Sequence, residues 1–145
     1  MFKHILIPTD GSPLSETAIR EGVRLAARLQ AKVTGLCAMP VNPPFFYETE
    51  IPKEALEEVE KRTKELAESY LSVIEKVARE AGVGCELVFD RAGFPFEAII
   101  RVAQQKKCDL IVMASHGRRG VKALLLGSET QKVLTHSTIP VLVVR

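Results

Sequence analysis

Cysteine is scarce in this sequence of 145 residues, and its spacing suggests neither metal nor redox chemistry. The three cysteines, Cys37, Cys85 and Cys108, are odd in number, lie far apart and form no Cys-x-x-Cys pair. That pattern speaks against zinc and against a redox dithiol, and the three histidines add no metal-binding spacing. We expect each cysteine to act as a small buried hydrophobe in or beside a strand.

Long apolar runs and strong net charge are also missing. No apolar stretch approaches the roughly 18 residues that cross a bilayer. The apolar patch near the N-terminus ends at Pro8 and Asp10, which is too short for a signal peptide. A net charge of +2 and a pI near 8.5 are too mild for a general nucleic-acid binder. We therefore expect a cytoplasmic protein with no membrane or nucleic-acid partner.

The sequence does contain a regular alternation of strands and helices. Three continuous apolar runs, Ile5–Ile7, Leu110–Met113 and Val141–Val144, are typical of strands covered on both faces. Two further strands are predicted at Lys32–Ala38 and Cys85–Phe89. Because helical patterns lie between all five, the order predicts an α/β fold: a single doubly wound domain whose parallel sheet carries helices on both faces.

Four helices are predicted between these strands. The first begins with Ser12 as N-cap and a proline at its first position. The second runs from about Pro52 to Ala81 and is stopped by Gly82. Its apolar spacing also fits a short coiled coil, although we favour packing on the sheet. The third covers Pro95–Lys107, and the last follows Ser128.

The stretch Val41–Thr49 is the one long irregular segment, and it contains two prolines that exclude a helix. Phe45, Phe46 and Tyr47 follow those prolines. Such aromatic residues either fold back on the domain's own core, which is the commoner arrangement, or cover a pocket or a neighbouring subunit.

Two segments are predicted to meet at the ligand site of this fold. Ligands of open parallel sheets bind outside the carboxyl ends of the strands, where the winding direction reverses. If the first and fourth strands are neighbours there, Pro8–Gly11 lies beside Ala114–Gly117. Asp10 can accept hydrogen bonds from an amino group or a ribose hydroxyl, but Asp-Gly is also a common turn. Gly127 and Ser128 open the last helix, whose free N–H groups and capping hydroxyl form an anion site.

A basic loop precedes that helix and carries Arg118, Arg119 and Lys122. The phosphate-loop pattern G-x-x-x-x-G-K-[ST] and the dinucleotide pattern G-x-G-x-x-G are both absent. From the residues alone, an ordinary solvated loop with Ser128 as N-cap remains an open alternative to a phosphate site.

Both ends of the chain resemble the universal stress protein family: HILIPTDGS at the start and SHGRRGVKALLLGSETQKVLTHSTIPVLVVR at the end. Nucleotide-binding members of that family carry G-x2-G-x9-G-[ST]. Gly117, followed by nine residues and then Gly127 and Ser128, is the second glycine of this motif. Ala114 replaces the first. If that position needs a positive φ, alanine lowers affinity; with ordinary strand geometry it adds one methyl group.

The resemblance covers residues 1–145 and implies a five-stranded sheet of order 3-2-1-4-5 with an adenine-nucleotide site. The ligand would be ATP or AMP, with Mg²⁺ or Mn²⁺ as a candidate companion of the phosphates. Glu129 beside phosphate is not an obvious choice, and its side chain either faces solvent or assists that cation. The residues implied for the site are Pro8, Thr9, Asp10 and Ala38 near adenine and ribose, Met113 and Ala114 beneath the ribose, and His116, Gly117, Arg118, Gly127, Ser128, Glu129 and Thr130 on the phosphate side.

The last strand, Pro140 to Arg145, is predicted to be an apolar sheet edge that invites pairing with a second copy. The resemblance likewise implies homodimers built around this strand, and we expect an isologous dimer. The expected function is a dimeric stress-response or signalling module that binds nucleotide, with at most slow ATP hydrolysis and an unknown signalling partner. The alternative, supported by Ala114, is a dimeric interaction protein of the same family that binds no nucleotide.

Two enzyme-like alternatives are weaker. Ser115, His116 and Asp10 suggest a hydrolase triad, but the nucleophile elbow G-x-S-x-G needs glycine where Met113 stands, and adjacent serine and histidine rarely face each other. A phosphoryl-receiving switch would need an acidic neighbour for Asp10 and a lysine near the last strand, and the chain has neither.

Overall fold

The computed structural model describes residues 1–41, 50–118 and 126–145. The aromatic residues Phe45, Phe46 and Tyr47 and the basic residues Arg119 and Lys122 lie outside these ranges. In chain order the described elements are β1 (His4–Pro8), α1 (Pro13–Leu29), β2 (Lys32–Pro40), α2 (Lys53–Glu80), β3 (Cys85–Ala92), α3 (Pro95–Gln105), β4 (Leu110–Ala114), α4 (Ser128–His136) and β5 (Val141–Val144).

The five strands form one parallel sheet in the order β3-β2-β1-β4-β5. This confirms the expected order 3-2-1-4-5 and makes β1 and β4 neighbours. β2 and β3 are longer than predicted because they pair with each other from Val33–Cys85 as far as Pro40–Ala92. The pairing carries both strands past the end of their apolar runs.

The central strand β1 shows how the sheet divides the core. Ile5, Leu6 and Ile7 are all 0% exposed. Ile5 and Ile7 pack in the cluster that α1 and α2 cover, whereas Leu6 packs in the cluster that α3 and α4 cover. Since successive side chains of a strand point to opposite faces, a continuous apolar run needs helices on both. The predicted doubly wound domain is confirmed.

The helix signals in the sequence are largely confirmed. Ser12 caps α1, its Oγ accepting a hydrogen bond from the amide of Ser15 at 3.2 Å. Gly82 follows the end of α2 with a positive φ of 69°. Helix α2 packs on the sheet through residues such as Leu71 and Ile74, as favoured over a coiled coil. Helix α4 differs, because its N-cap is Gly127 and not Ser128.

Two of the three cysteines are buried and one is exposed. Cys37 and Cys108 are buried, and burial raises the pKa of each thiol to about 11, so both are inert. The prediction that Cys85 is buried is wrong, because it begins β3 at the edge of the sheet and is exposed. Within the described ranges, no helix is long and apolar enough to cross a membrane.

Candidate functional site

A cleft of about 560 Å³ opens at the carboxyl ends of β1 and β4. This is the point where the winding direction of the sheet reverses, and it lies where the sequence places a ligand. Every site residue expected from the sequence lines this cleft. They are Pro8, Thr9, Asp10, Ala38, Met113, Ala114, His116, Gly117, Arg118, Gly127, Ser128, Glu129 and Thr130.

Four residues that the sequence reasoning missed also line the cleft: Ser15, Pro40, Pro95 and Ile99. Pro40 ends β2, whose carboxyl end belongs to the same edge of the sheet as β1. The position of Pro40 at this shared edge could have predicted that it lines the cleft. Pro95 and Ile99 belong to α3, and only the packing of that helix brings its first turns to the cleft.

Asp10 joins the two loops that form one wall of the cleft. Its Oδ1 accepts a hydrogen bond from the amide of Ser12 at 2.9 Å, and its Oδ2 accepts one from the amide of Arg118 at 3.1 Å. The carboxylate thus acts as a turn residue for its own loop and as a tie to the loop after β4. Each oxygen still has a further lone pair for a ligand.

Gly117 is needed for that tie. A Cβ atom at this position would overlap the Asp10 carboxylate, so a larger residue would displace that carboxylate and break its hydrogen bond to the Arg118 amide. Gly11, on the other side of Asp10, has a φ of 76° and lies directly beneath the Tyr70 ring. Only glycine fits both the backbone conformation and the close approach of that ring.

The Arg118 side chain turns toward the Asp10 wall. Its Nε donates to the backbone oxygen of Asp10 at 2.9 Å, and its Nη2 donates to the Tyr70 hydroxyl at 2.6 Å. The guanidinium carbon lies 5.1 Å from the centroid of the Tyr70 ring. These contacts hold the positive charge against α1 and α2. Tyr70 is the long-range partner that sequence reasoning did not anticipate.

The opposite wall is the N-terminus of α4. Gly127 donates its N–H to the backbone oxygen of Ser115 at 2.6 Å, and a Cβ on Gly127 would lie 3.1 Å from the His116 Cα. The N–H groups of the next three residues, Ser128, Glu129 and Thr130, have no partner within the helix. They form the positive end of the helix dipole, and all three residues line the cleft.

Ala114 occupies ordinary strand geometry. It ends β4, pairs with Val144 of β5 and is not among the described residues with a positive φ. Its backbone oxygen accepts a hydrogen bond from the Thr130 hydroxyl at 2.9 Å, which ties α4 to the sheet. Alanine at the first motif position therefore adds a methyl group to the cleft without backbone strain.

Ser115 and His116 do face each other, and the expectation that they would not is wrong. The Ser115 Oγ lies 3.2 Å from the His116 Nδ1. Ser115 is only 2% exposed, however, and the hydrogen bonds of the Asp10 carboxylate run to the amides of Ser12 and Arg118 and not to the His116 ring. The serine is not an accessible nucleophile, so the arrangement does not match a hydrolase triad.

The Glu129 carboxylate contacts two other residues of the protein. Its Oε2 accepts a hydrogen bond from the amide of Phe96 at 2.9 Å, and its Oε1 lies 3.5 Å from the Lys132 Nζ. Phe96 is in the first turn of α3, so Glu129 caps a neighbouring helix. Over the described part of the chain, no group of three His, Cys, Asp or Glu side chains is placed to hold a metal ion.

A sequence model of the universal stress protein family matches residues 1–145. The chain belongs to the universal stress protein family. Universal stress protein MJ0531 of Methanocaldococcus jannaschii is 34% identical to it over 145 residues, which cover all of this chain and 83% of that one. Universal stress protein YxiE of Bacillus subtilis is 32% identical over 149 residues, with both chains fully covered.

Solved structures share the fold of this universal stress protein. The structure of hypothetical protein MJ0577 matches with a TM-score of 0.85 and 30% identity over 99% of this chain and 96% of that one. A universal stress protein in complex with cAMP matches with a TM-score of 0.69 and 24% identity, covering 99% of this chain and 97% of that one. One from Archaeoglobus fulgidus in complex with dAMP has a TM-score of 0.66 and 17% identity, covering 100% and 98%.

Proposed function

We propose that this universal stress protein binds an adenine nucleotide, ATP or AMP, in the cleft between β1 and β4. The observation that carries the proposal is the position of the α4 N-terminus: its first residues, whose amides have no partner within the helix, line the same cleft as Asp10. Helix N-termini with free N–H groups favour phosphate. A cleft of about 560 Å³ is also within the usual range for small-molecule sites.

The two walls supply complementary chemistry. Asp10 can accept a hydrogen bond from a ribose hydroxyl or an adenine amino group, since neither of its oxygens is saturated. Ala38 and Met113 give the floor between the walls an apolar surface against which a base can lie. The amides of Ser128 and Glu129 complete the arrangement at the phosphate end.

The two universal stress proteins solved with cAMP and dAMP support the same ligand class. Both ligands are adenine nucleotides, and both proteins share the fold of this chain. Their sequences are too distant for a residue-by-residue argument. The proposal for this chain therefore rests on its own cleft.

Catalysis is not the role that this site supports. Two carboxylates line the cleft, and each is already hydrogen-bonded within the protein: Asp10 to the amides of Ser12 and Arg118, and Glu129 to the amide of Phe96. We propose a stress-response or signalling module with at most slow ATP hydrolysis. Mg²⁺ or Mn²⁺, where present, would arrive bound to the triphosphate.

We also propose a homodimer through Pro140 to Arg145. β5 is an edge strand, and Leu142 on it is 44% exposed. An unpaired apolar edge is a template for a second copy. Sedimentation of the wild type and of Leu142→Lys tests this: a dimer that becomes a monomer supports it, and a wild-type monomer contradicts it. The cytoplasmic location remains a prediction from the sequence.

The decisive experiment is to denature freshly purified protein, identify any released ligand by mass spectrometry and titrate ATP and AMP calorimetrically. Co-purified adenine nucleotide, or micromolar binding that is lost in Gly127→Trp, is the expected result. Gly93→Trp is the matched control, because Gly93 is exposed and has no atom within 4 Å of its Cβ position. No ligand and no binding at millimolar nucleotide would instead favour a dimer that acts only through protein partners.

A further inference from the structure

Glu129 places a negative charge beside the α4 N-terminus, where the phosphate of a bound nucleotide is proposed to lie. It belongs to the first turn of α4, lines the cleft and keeps 32% of its side chain exposed. A carboxylate in that position must either be neutralised or influence which ligands bind. Its contacts show how far the protein neutralises it.

The Glu129 carboxylate caps the N-terminus of α3, whose own N-cap residue makes no side-chain hydrogen bond. The N-cap residue of α3 is Phe94, and Pro95 follows it with no N–H group. The first free amide is that of Phe96, which donates to the Glu129 Oε2 at 2.9 Å. Glu129 therefore fills the anion position of α3.

Lys132 balances only part of this charge. Its Nζ lies 3.5 Å from the Glu129 Oε1, with 40% of the lysine side chain exposed. The ammonium group also lies 4.6 Å from the Phe94 ring centroid and 5.3 Å from that of Phe96. Those rings hold it on the outer side of the carboxylate, and an exposed pair of this kind is weakened by water and salt.

Two helix N-termini thus reach the same cleft, and they differ. That of α3 is already occupied by a protein carboxylate, whereas no carboxylate among the described residues is hydrogen-bonded to the first amides of α4. Resting on the nucleotide function proposed above, we infer that the Glu129 carboxylate makes the cleft selective for adenine nucleotides with few phosphate charges, AMP or a cyclic monophosphate in preference to ATP.

The reason is Coulomb repulsion between charges in one turn of helix. Any phosphate that accepts hydrogen bonds from the first amides of α4 lies within a few ångströms of the Glu129 side chain, which springs from the same turn. A monophosphate can place its charge on the open amides. Each further phosphate adds charge, and the guanidinium of Arg118, which lines the cleft, is already engaged by the Asp10 backbone oxygen and the Tyr70 hydroxyl, so the penalty rises with chain length.

The test is calorimetric titration of AMP and ATP, with EDTA and at low salt, on the wild type and Glu129→Gln. Glutamine keeps an oxygen for the Phe96 amide and removes only the charge. We expect the wild type to prefer AMP, and the variant to gain roughly five- to tenfold in ATP affinity and a smaller factor in AMP affinity. The difference should shrink as salt is raised.

Two further variants test whether the effect comes from the Glu129 charge. Glu97→Gln makes the same charge change in the first turn of α3, at an exposed position outside the cleft lining, and should leave the AMP-to-ATP ratio unchanged. Lys132→Gln removes the partial balance and should shift the ratio further toward AMP. That opposite shift keeps the proposal testable even if Glu129→Gln folds poorly.

An unchanged ratio in Glu129→Gln, or a wild type that prefers ATP, overturns the selectivity while leaving nucleotide binding intact. Weaker binding of magnesium-bound ATP by Glu129→Gln would also overturn it, because the carboxylate would then be assisting the cation. If neither protein binds any nucleotide, the proposed function fails and the selectivity fails with it.

Discussion

The two walls of the cleft are built on opposite plans. On the β1 side the Asp10 carboxylate accepts a hydrogen bond from the Arg118 amide, and the Arg118 guanidinium donates to the Asp10 backbone oxygen and to the Tyr70 hydroxyl, so the wall is tied together by its own hydrogen bonds. On the α4 side the first amides of the helix are left without partners in the helix. Hydrogen bonds within a wall fix its shape, whereas free donors can bind an anion. Under the proposed function, the first wall would position the nucleotide and the second would hold its phosphate.

Gly117→Ala should break this arrangement most severely. A Cβ there overlaps the Asp10 carboxylate, so this side chain must move and its hydrogen bond to the Arg118 amide, which joins the loops after β1 and β4, is broken. We expect nucleotide affinity to fall by about tenfold or more, and the free energy of unfolding by about 1–3 kcal/mol, as for an overpacked site. Calorimetry and urea denaturation measure the two effects.

Gly93→Ala is the control for that substitution, since nothing lies within 4 Å of its Cβ position. It makes the same change in chain entropy without an overlap. Equal effects of the two substitutions would show that the contact between the loops does not depend on the missing side chain at Gly117.

Asp10→Ala should have the next largest effect. It leaves the amides of Ser12 and Arg118 without their carboxylate partner, at a cost of about 1 kcal/mol because water reaches this partly exposed site. Binding of adenosine should weaken together with that of AMP, because the proposed function places Asp10 beside the ribose or the adenine. Asp10→Asn keeps one acceptor oxygen and should lose less. Loss of AMP binding with adenosine binding retained would place Asp10 at the phosphate end instead.

Much of this architecture could be predicted from local signals. Apolar runs identify β1, β4 and β5, and Ser12 marks the start of α1. The spacing from Gly117 to Gly127 selects residues that the structure does bring together around one cleft. Each of these signals is carried by neighbours in the chain, which is why sequence reasoning can find it.

The rest depends on contacts between distant residues. Tyr70 reaches Arg118 across 48 positions, and Glu129 reaches Phe96 across 33. No periodicity marks such pairs. The start of α4 was misjudged for a subtler reason: the Gly127 oxygen already accepts the amide of Gln131 at 3.0 Å, so the helix starts one residue before a serine cap would allow.

Arg118→Gln tests whether the arginine contributes to binding of the nucleoside or of the phosphates. The guanidinium contacts Asp10 and Tyr70, so we expect its loss to weaken adenosine, AMP and ATP by a similar factor of about two to five. A residue that held phosphate would give a loss that grows from adenosine to ATP. Arg20→Gln, at an exposed position of α1 outside the cleft, is the matched control.

The smallest effect concerns the amino end of the sheet, away from the cleft. His4 is 5% exposed there, and its Nε2 lies 2.7 Å from the Thr34 Oγ1. Burial, helped by the nearby Lys32, lowers its pKa below the ordinary value of 6.5. The unfolded chain therefore takes up a proton near pH 6.5 that the folded chain refuses, and stability should fall as the pH drops below that value.

Urea denaturation of the wild type and His4→Gln between pH 7.5 and 5 measures this contribution. The variant lacks the titrating ring, so the wild type should lose more stability over that interval. Asp109 does not interfere, since hydrogen bonds from the amides of His4 and Lys3 outweigh its burial and lower its pKa below the ordinary 3.8. Parallel losses in both proteins would mean that His4 accepts its proton in the folded state.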